Sequence, residues 1–172
     1  MAGSLIKIAE TTVTSATASV TLTGIDSTYD VYMVRVINLV PATDDARTQV
    51  RTTTSGTADS DSEYDYAYKY LKTSTTFGNS SATNQTRWDL QEIGNATGEV
   101  NNMILYLFNF NSSSEYSFIT VEQAFLTNNA ELRGYQGGGV HTVAETNDGV
   151  NFSFDSGNIT SGKFVLYGLK KS

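Results

Sequence analysis

The feature that most constrains the fold is a succession of short β-type segments separated by turn residues. The segment Val150 to Asp155, "VNFSFD", alternates apolar and polar side chains, which is the period of a strand buried on one face. No stretch of the chain shows a sustained helical period. The sequence therefore predicts an all-β protein. Many short strands without a fixed repeat favour a two-sheet antiparallel β-sandwich, of which the jelly roll is one form.

These segments also predict the positions of the strands and the extent of the domain. We expect strands at Leu5–Ala9, Ala18–Leu22, Tyr32–Leu39, Arg47–Thr54, Tyr64–Leu71, Arg87–Leu90, Met103–Phe108, Ser117–Gln123, Val150–Phe154 and Lys163–Tyr167. The turn residues of "DSGNITSG" predict that the last two form a hairpin. No linker divides the chain, so residues 1–172 are expected to form a single domain.

The last predicted strand is apolar on both faces. In "KFVLYGLKK", Phe164, Val165, Leu166, Tyr167 and Leu169 leave almost no polar position, whereas a half-buried strand would alternate. We expect this strand to be covered on both sides, by a second layer of the domain or by another copy of the protein. Phe164, Leu166 and Tyr167 are therefore candidate interface residues.

A series of tyrosines is the most distinctive aromatic feature. In "YDYAYKY", Tyr64, Tyr66, Tyr68 and Tyr70 share one face of a strand. An apolar ring with a polar tip suits packing within the domain, a subunit interface or a platform for sugar rings. Trp88 in "TRWDL" allows the same interpretations, with the core favoured. These five residues are candidate contacts for an interface or a glycan.

His141 is the only histidine, and it follows three consecutive glycines. No nucleophile motif such as G-x-S-x-G accompanies it. The sequence therefore predicts a histidine in a loop, without a catalytic role.

The segment "DSDSEYD" carries Asp59, Asp61, Glu63 and Asp65 at alternate positions, a spacing that calcium loops use. The pattern fails further along, because tyrosines occupy the positions of the expected glycine and the bidentate glutamate. We expect a solvated strand entrance, meaning acidic side chains exposed to water where a strand begins, with no metal or cofactor. Calcium binding is the alternative.

Composition limits the classes of partner. The net charge is −7 and the few basic residues are scattered, so nucleic acid is not an expected partner. The chain has no cysteine. Its first residues lack the pattern of a secretory signal, and no apolar run reaches the length of a membrane span. We expect a soluble protein made in the cytoplasm and not inserted in a membrane.

Several stretches resemble a family of small β-sandwich virion proteins and fibre-tip domains of tailed bacteriophages, especially marine and cyanobacterial phages. They are "SVTLTGIDSTYDVYMVRVINLVPATDDARTQVRTTTSG", "YDYAYKYLKTSTTFGNSSATNQTRW", "MILYLFNFNSSSEYSF" and "GNITSGKFVLYGLKK". The resemblance implies a non-enzymatic structural protein of the virion, made in the bacterial host, that binds capsid or tail proteins and forms a homo-oligomer. Because strand-like sequence begins close to the start, a head decoration protein or an appendage subunit is favoured over a complete fibre.

Two other classes of function stay open at this stage. A receptor-binding module would recognise host surface polysaccharide through exposed tyrosines and polar loop residues. A glycan-cleaving enzyme would need two carboxylates about 5 to 10 Å apart across a groove, and the sequence does not give that spacing.

Overall fold

The chain folds into strands joined by turns and loops. A computed structural model describes residues 4–74 and 76–170. The strands are β1 (Leu5–Val13), β2 (Ser19–Thr23), β3 (Val31–Pro41), β4 (Ala46–Thr54), β5 (Thr57–Ala58), β6 (Tyr64–Lys72), β7 (Phe77–Gln85), β8 (Trp88–Ile93), β9 (Asn101–Phe108), β10 (Ser117–Leu126), β11 (Leu132–His141), β12 (Gly149–Phe154) and β13 (Ile159–Leu169). No helix long and apolar enough to span a membrane occurs in these described ranges.

The strands form two antiparallel sheets, and the predicted β-sandwich is confirmed. The large sheet has eight strands in the order β1-β13-β3-β9-β10-β11-β6-β7. The small sheet has five strands, with the order β2-β12-β4-β5 and with β8 also paired to β4. Aromatic rings join the two layers: Phe152 of β12 lies 5.3 Å from Phe164 of β13, centroid to centroid.

Alternation along the strands defines an inner and an outer face of the large sheet. In β10, Ile119 and Val121 are buried between the sheets, while Phe118 and Thr120 are exposed on the opposite side. The pleat of a strand produces this alternation, because successive side chains point to opposite faces. The core of the protein is the space between the two inner faces.

The last strand lies inside the large sheet, between β1 and β3. Phe164 and Leu166 point inward and are fully buried, so their assignment as candidate interface residues is wrong. Their outward neighbour Val165 is also buried, and Tyr167 remains partly exposed on the outer face. The predicted hairpin with Val150–Phe154 is wrong too, because that segment is β12 of the small sheet.

Besides the two-residue β5, two long strands arise from segments to which the sequence assigned no strand. They are β7, "FGNSSATNQ", and β11, "LRGYQGGGVH". β11 pairs along its length with both β10 and β6. His141 is the last residue of β11, so the prediction of a loop histidine is wrong.

Candidate functional site

The four tyrosines of β6 share the inner face of the large sheet, as their alternation predicted. Tyr64 and Tyr68 are buried there, and Tyr66 and Tyr70 are partly exposed. Tyr68 packs on Tyr66 at 5.0 Å and on the ring of Tyr135 at 4.8 Å. Packing within the domain therefore accounts for Tyr64 and Tyr68, which have no free surface for a glycan or a partner. Tyr66 and Tyr70 keep part of their rings accessible.

Trp88 is also part of the core. Its indole is fully buried, packs edge-on against Tyr64 at 5.0 Å, and donates a hydrogen bond of 3.3 Å to the carbonyl of Val140. The favoured core position of Trp88 is therefore confirmed. Its alternative assignment as a contact for sugar or for a partner is wrong, because no ring surface is left outside the domain.

The glycines that face the core in β11 accommodate these aromatic rings. A Cβ atom on Gly139 would lie 2.5 Å from the indole nitrogen of Trp88, and one on Gly137 would lie 2.7 Å from the ring of Tyr68. Real Cβ atoms essentially never approach so closely. At Gly137 the backbone carbonyl of Ala67 is closer still, at 2.4 Å. Glycine is thus required at both positions by atoms of other strands.

Two tyrosine hydroxyls in this core differ in their hydrogen bonds. The Tyr64 hydroxyl lies 2.9 Å from the hydroxyl of Thr52 and donates to the carbonyl of Asp59 at 3.2 Å. The Tyr68 hydroxyl is buried and has no partner among the described residues. Burial raises the pKa of both phenols, and that of Tyr68 lies well above its ordinary value.

His141 and two of the acidic residues come together at the end of β11. Asp59 follows β5, Glu63 precedes β6, and Tyr64 pairs with His141 across the sheet. The Nε2 atom of His141 lies 2.9 Å from Asp59 Oδ2 and 3.3 Å from Glu63 Oε2. The imidazole is fully buried, while the two carboxylates are partly exposed.

The other acidic residues of "DSDSEYD" do not join this cluster. Asp61 is exposed, and Asp65 accepts a hydrogen bond from the backbone of Asn84. The pKa of Glu63 is raised, mainly by burial and secondly by the negative charge of Asp59. The segment is therefore more than a solvated strand entrance, although its four carboxylates do not converge as they do in a calcium loop.

The outer face of the large sheet carries exposed apolar side chains that the sequence analysis did not single out. Phe118 is 45% exposed, Leu71 is 61% exposed and Phe77 is 65% exposed. The signal for Phe118 is present in the sequence, because it is a large apolar residue on the otherwise polar face of an alternating strand. Leu71 and Phe77 have no comparable signal.

Two shallow hollows lie between these side chains. One, of about 760 Å³, is lined by residues that include Leu71, Ala124 and Gly134. The other, of about 790 Å³, is lined by residues that include Ala67, Phe118 and Gly138. A Cβ atom on Gly134 would meet no heavy atom within 4 Å, so packing within the chain does not require glycine there.

Charges of both signs border the first hollow on the large sheet. The outer face of the small sheet differs, because short polar side chains lie on it. Arg35 and Lys69 line the hollow together with Glu122. The outward positions of β2 and β12 in the small sheet carry short polar side chains, namely Ser19, Thr21, Thr23 and Ser153. Among the described residues, the large exposed apolar side chains lie on strands of the large sheet or next to them.

Comparison with protein-family models, curated proteins and solved structures finds no match. These comparisons therefore neither support nor contradict the resemblance to phage virion proteins.

Proposed function

We propose that this chain is a non-enzymatic structural subunit of a bacteriophage virion, either a head decoration protein or an appendage subunit. It assembles through the outer face of the large sheet. The observation that carries the proposal is the set of exposed apolar side chains around two hollows on that face. Apolar patches of this kind mark protein interfaces. The resemblance of four stretches to phage virion proteins supports the choice of particle.

The charges on this face favour a second copy of the chain as the partner. Arg35 and Lys69 lie beside the same hollow as Glu122. In two copies related by a two-fold rotation, the basic side chains of each copy can therefore face the acidic side chain of the other. An isologous interface needs this self-complementarity. A face of one sign would repel its own copy.

The lack of cysteine is consistent with a protein that folds in the bacterial cytoplasm and then functions outside the cell. A chain without cysteine needs no redox chemistry to fold in the bacterial cytoplasm, and it has no thiol to oxidise after lysis releases the particle.

Sedimentation velocity tests the assembly surface. Phe118→Glu places a charge at the edge of one hollow, and we expect it to convert an oligomer to a folded monomer. Ser19→Glu is the matched control, because it adds the same charge to an exposed strand position of the small sheet. We expect this control to sediment like the wild type. A monomeric wild type, or an oligomer that survives Phe118→Glu, would contradict assembly through this face.

Labelling tests the virion role. Antibodies are raised against the recombinant protein and applied, with gold labels, to phage particles purified from a lysate of cells that make this chain. Electron microscopy should then show labels on the head or on an appendage at regular positions. Particles that contain no copy of the chain would refute the proposal whatever the outcome of sedimentation.

A receptor-binding module is the second candidate function. The partly exposed ring of Tyr70 has the Arg133 guanidinium 5.5 Å and the Lys72 ammonium 5.3 Å from its centroid. An aromatic platform with hydrogen-bond donors beside it suits a sugar ring. A glycan array with the wild type and Tyr70→Ala tests this candidate, and release of reducing ends from polysaccharide would indicate a glycan-cleaving enzyme instead.

A further inference from the structure

Three side chains that could bind a metal ion meet at the end of β11. The candidate ligand atoms of Asp59, Glu63 and His141 all lie within 4.8 Å of one another. Asp59 and Glu63 flank a short turn, and the pairing of Tyr64 with His141 brings that turn to β11. The cluster thus depends on tertiary structure and is not a local run of acidic residues.

The two distances from His141 Nε2 are close to those between ligands of a small divalent ion. Metal–ligand bonds of about 2.0 to 2.2 Å in a tetrahedral arrangement place the ligand atoms about 3.3 to 3.6 Å apart. His141 Nε2 lies 3.3 Å from the Glu63 carboxylate and 2.9 Å from that of Asp59. The Asp59 contact is a few tenths of an ångström shorter than this range, and the candidate oxygens of Asp59 and Glu63 lie within 4.8 Å of each other. Solvent can reach the partly exposed carboxylates.

Neighbouring groups orient the candidate ligands. The Asp59 carboxylate accepts the backbone N–H of Asp61 at 2.9 Å and the Tyr64 hydroxyl at 3.3 Å. The backbone carbonyl of Glu63 accepts both the N–H and the hydroxyl of Thr142. Outer contacts of this kind fix the geometry of metal ligands.

A direct hydrogen bond is the simpler explanation of the cluster, but it leaves two features unexplained. One N–H of His141 cannot donate well to two carboxylates at once, and Asp59 and Glu63 both bring a carboxylate to the same ring nitrogen. His141 Nδ1 is buried and has no partner among the described residues. The Asp59 carboxylate can only accept, so the 2.9 Å contact has the proton on Nε2. A metal ion would replace that proton, since a ligating imidazole nitrogen must be unprotonated, and Nδ1 would then carry the N–H.

The ligand set favours a transition metal over calcium. Calcium takes six to eight oxygen ligands, whereas one imidazole nitrogen with two carboxylates suits zinc and related ions. We propose that Asp59, Glu63 and His141 bind one divalent transition-metal ion, which joins the turn between β5 and β6 to the end of β11. This site is independent of the proposed assembly face.

Calorimetry and melting with Zn²⁺ as the probe test the site. The full chain is used without a polyhistidine tag, after treatment with a chelator and dialysis. We expect one Zn²⁺ to bind per chain and to raise the melting temperature, because a ligand that binds the native state stabilises it by mass action. Absence of binding, or binding of Ca²⁺ in preference to Zn²⁺, would overturn the proposal.

Variants identify the ligands. Glu63→Gln keeps the size of a partly exposed side chain and should weaken Zn²⁺ binding by about tenfold or more, without unfolding the zinc-free protein. Asp61→Asn is the matched control, since Asp61 is exposed and its hydrogen bond to Asp59 is made by the backbone N–H, and it should bind Zn²⁺ like the wild type. Equal affinity of Glu63→Gln and the wild type would refute the site.

His141 offers a direct signal, because it is the only histidine of the chain. Its ring resonances in a proton–carbon correlation spectrum need no assignment and should shift when Zn²⁺ is added. Ring signals that stay in place while Zn²⁺ binds would locate the metal elsewhere and contradict the proposal.

Discussion

The two faces of the large sheet use small residues in opposite ways. On the inner face, Gly137 and Gly139 leave space that atoms of β6 and the Trp88 indole occupy. On the outer face of the same strand, Gly134 borders a hollow that no side chain of the described residues fills. The inner glycines are explained by contacts within the chain, and the outer one is not.

This difference shows where an outside partner is to be sought. A protein interior is packed to the density of organic crystals. An unfilled hollow between exposed apolar side chains is therefore not part of the packed interior, and the fold does not need it to be filled. The proposed partner, a second copy of the chain, would fill it. The following experiments compare the two faces, beginning with the largest expected effect.

Two adjacent residues of β13 compare the faces within one strand. Leu166→Asp puts a charge into the core and should cost about 4 kcal/mol or more of the free energy of unfolding. Tyr167→Asp acts on the outer face, where the ring also lies 5.6 Å from the Arg35 guanidinium. We expect it to cost about 1 kcal/mol and to weaken assembly.

Urea unfolding followed by circular dichroism measures the first effect, and sedimentation velocity measures the second. Equal losses of stability in the two variants would mean that the outer side of β13 is as important for the fold as the inner side, and the distinction between the faces would fail at this strand.

Two glycines of β11 compare the faces by adding a single methyl group. Gly139→Ala meets the Trp88 indole and should destabilise the fold by about 1 to 3 kcal/mol. Gly134→Ala meets nothing and should raise stability by up to about 1 kcal/mol, because it restricts the unfolded chain. Thermal melting of both variants is the measurement, and a loss of stability in Gly134→Ala would show that the first hollow is required by the fold itself.

The smallest effect concerns the polar atoms of the inner face. Tyr64→Phe removes a hydroxyl that bonds Thr52 and Asp59 and should cost about 1 kcal/mol. Tyr68→Phe removes a buried hydroxyl without a partner among the described residues, so stability should stay unchanged or rise. Urea unfolding of the pair decides between these outcomes, and a clear loss in Tyr68→Phe would indicate a bridging water at that hydroxyl.

The sequence predicted those elements whose pattern is local. The alternation in Ser117–Leu126 and Gly149–Phe154 depends only on the strand's own period, and both segments are strands. β7 and β11 lacked such a pattern, because glycine, serine and asparagine usually indicate loops. The inner-face glycines of β11, Gly137 and Gly139, are explained by Tyr68 and its neighbour Ala67 and by Trp88, which lie far away in the sequence.

The candidate metal cluster could be predicted only in part for the same reason. Spacing singled out Asp59 and Glu63, whereas His141 lies 82 residues from Asp59 and reaches them through the register of β6 against β11. Single-sequence patterns do not specify the register between distant strands. The hairpin predicted for β12 and β13 failed likewise, since the preferred partners of β13 are β1 and β3.

The position of β13 between β1 and β3 has a consequence for synthesis. The ribosome makes β1 and β3 long before it reaches Ile159–Leu169, and until then those two strands have no common neighbour to join them. Contacts between segments so distant in the chain form slowly and leave strand edges unpaired in the meantime. A nascent chain cut short before β13 therefore cannot complete the large sheet.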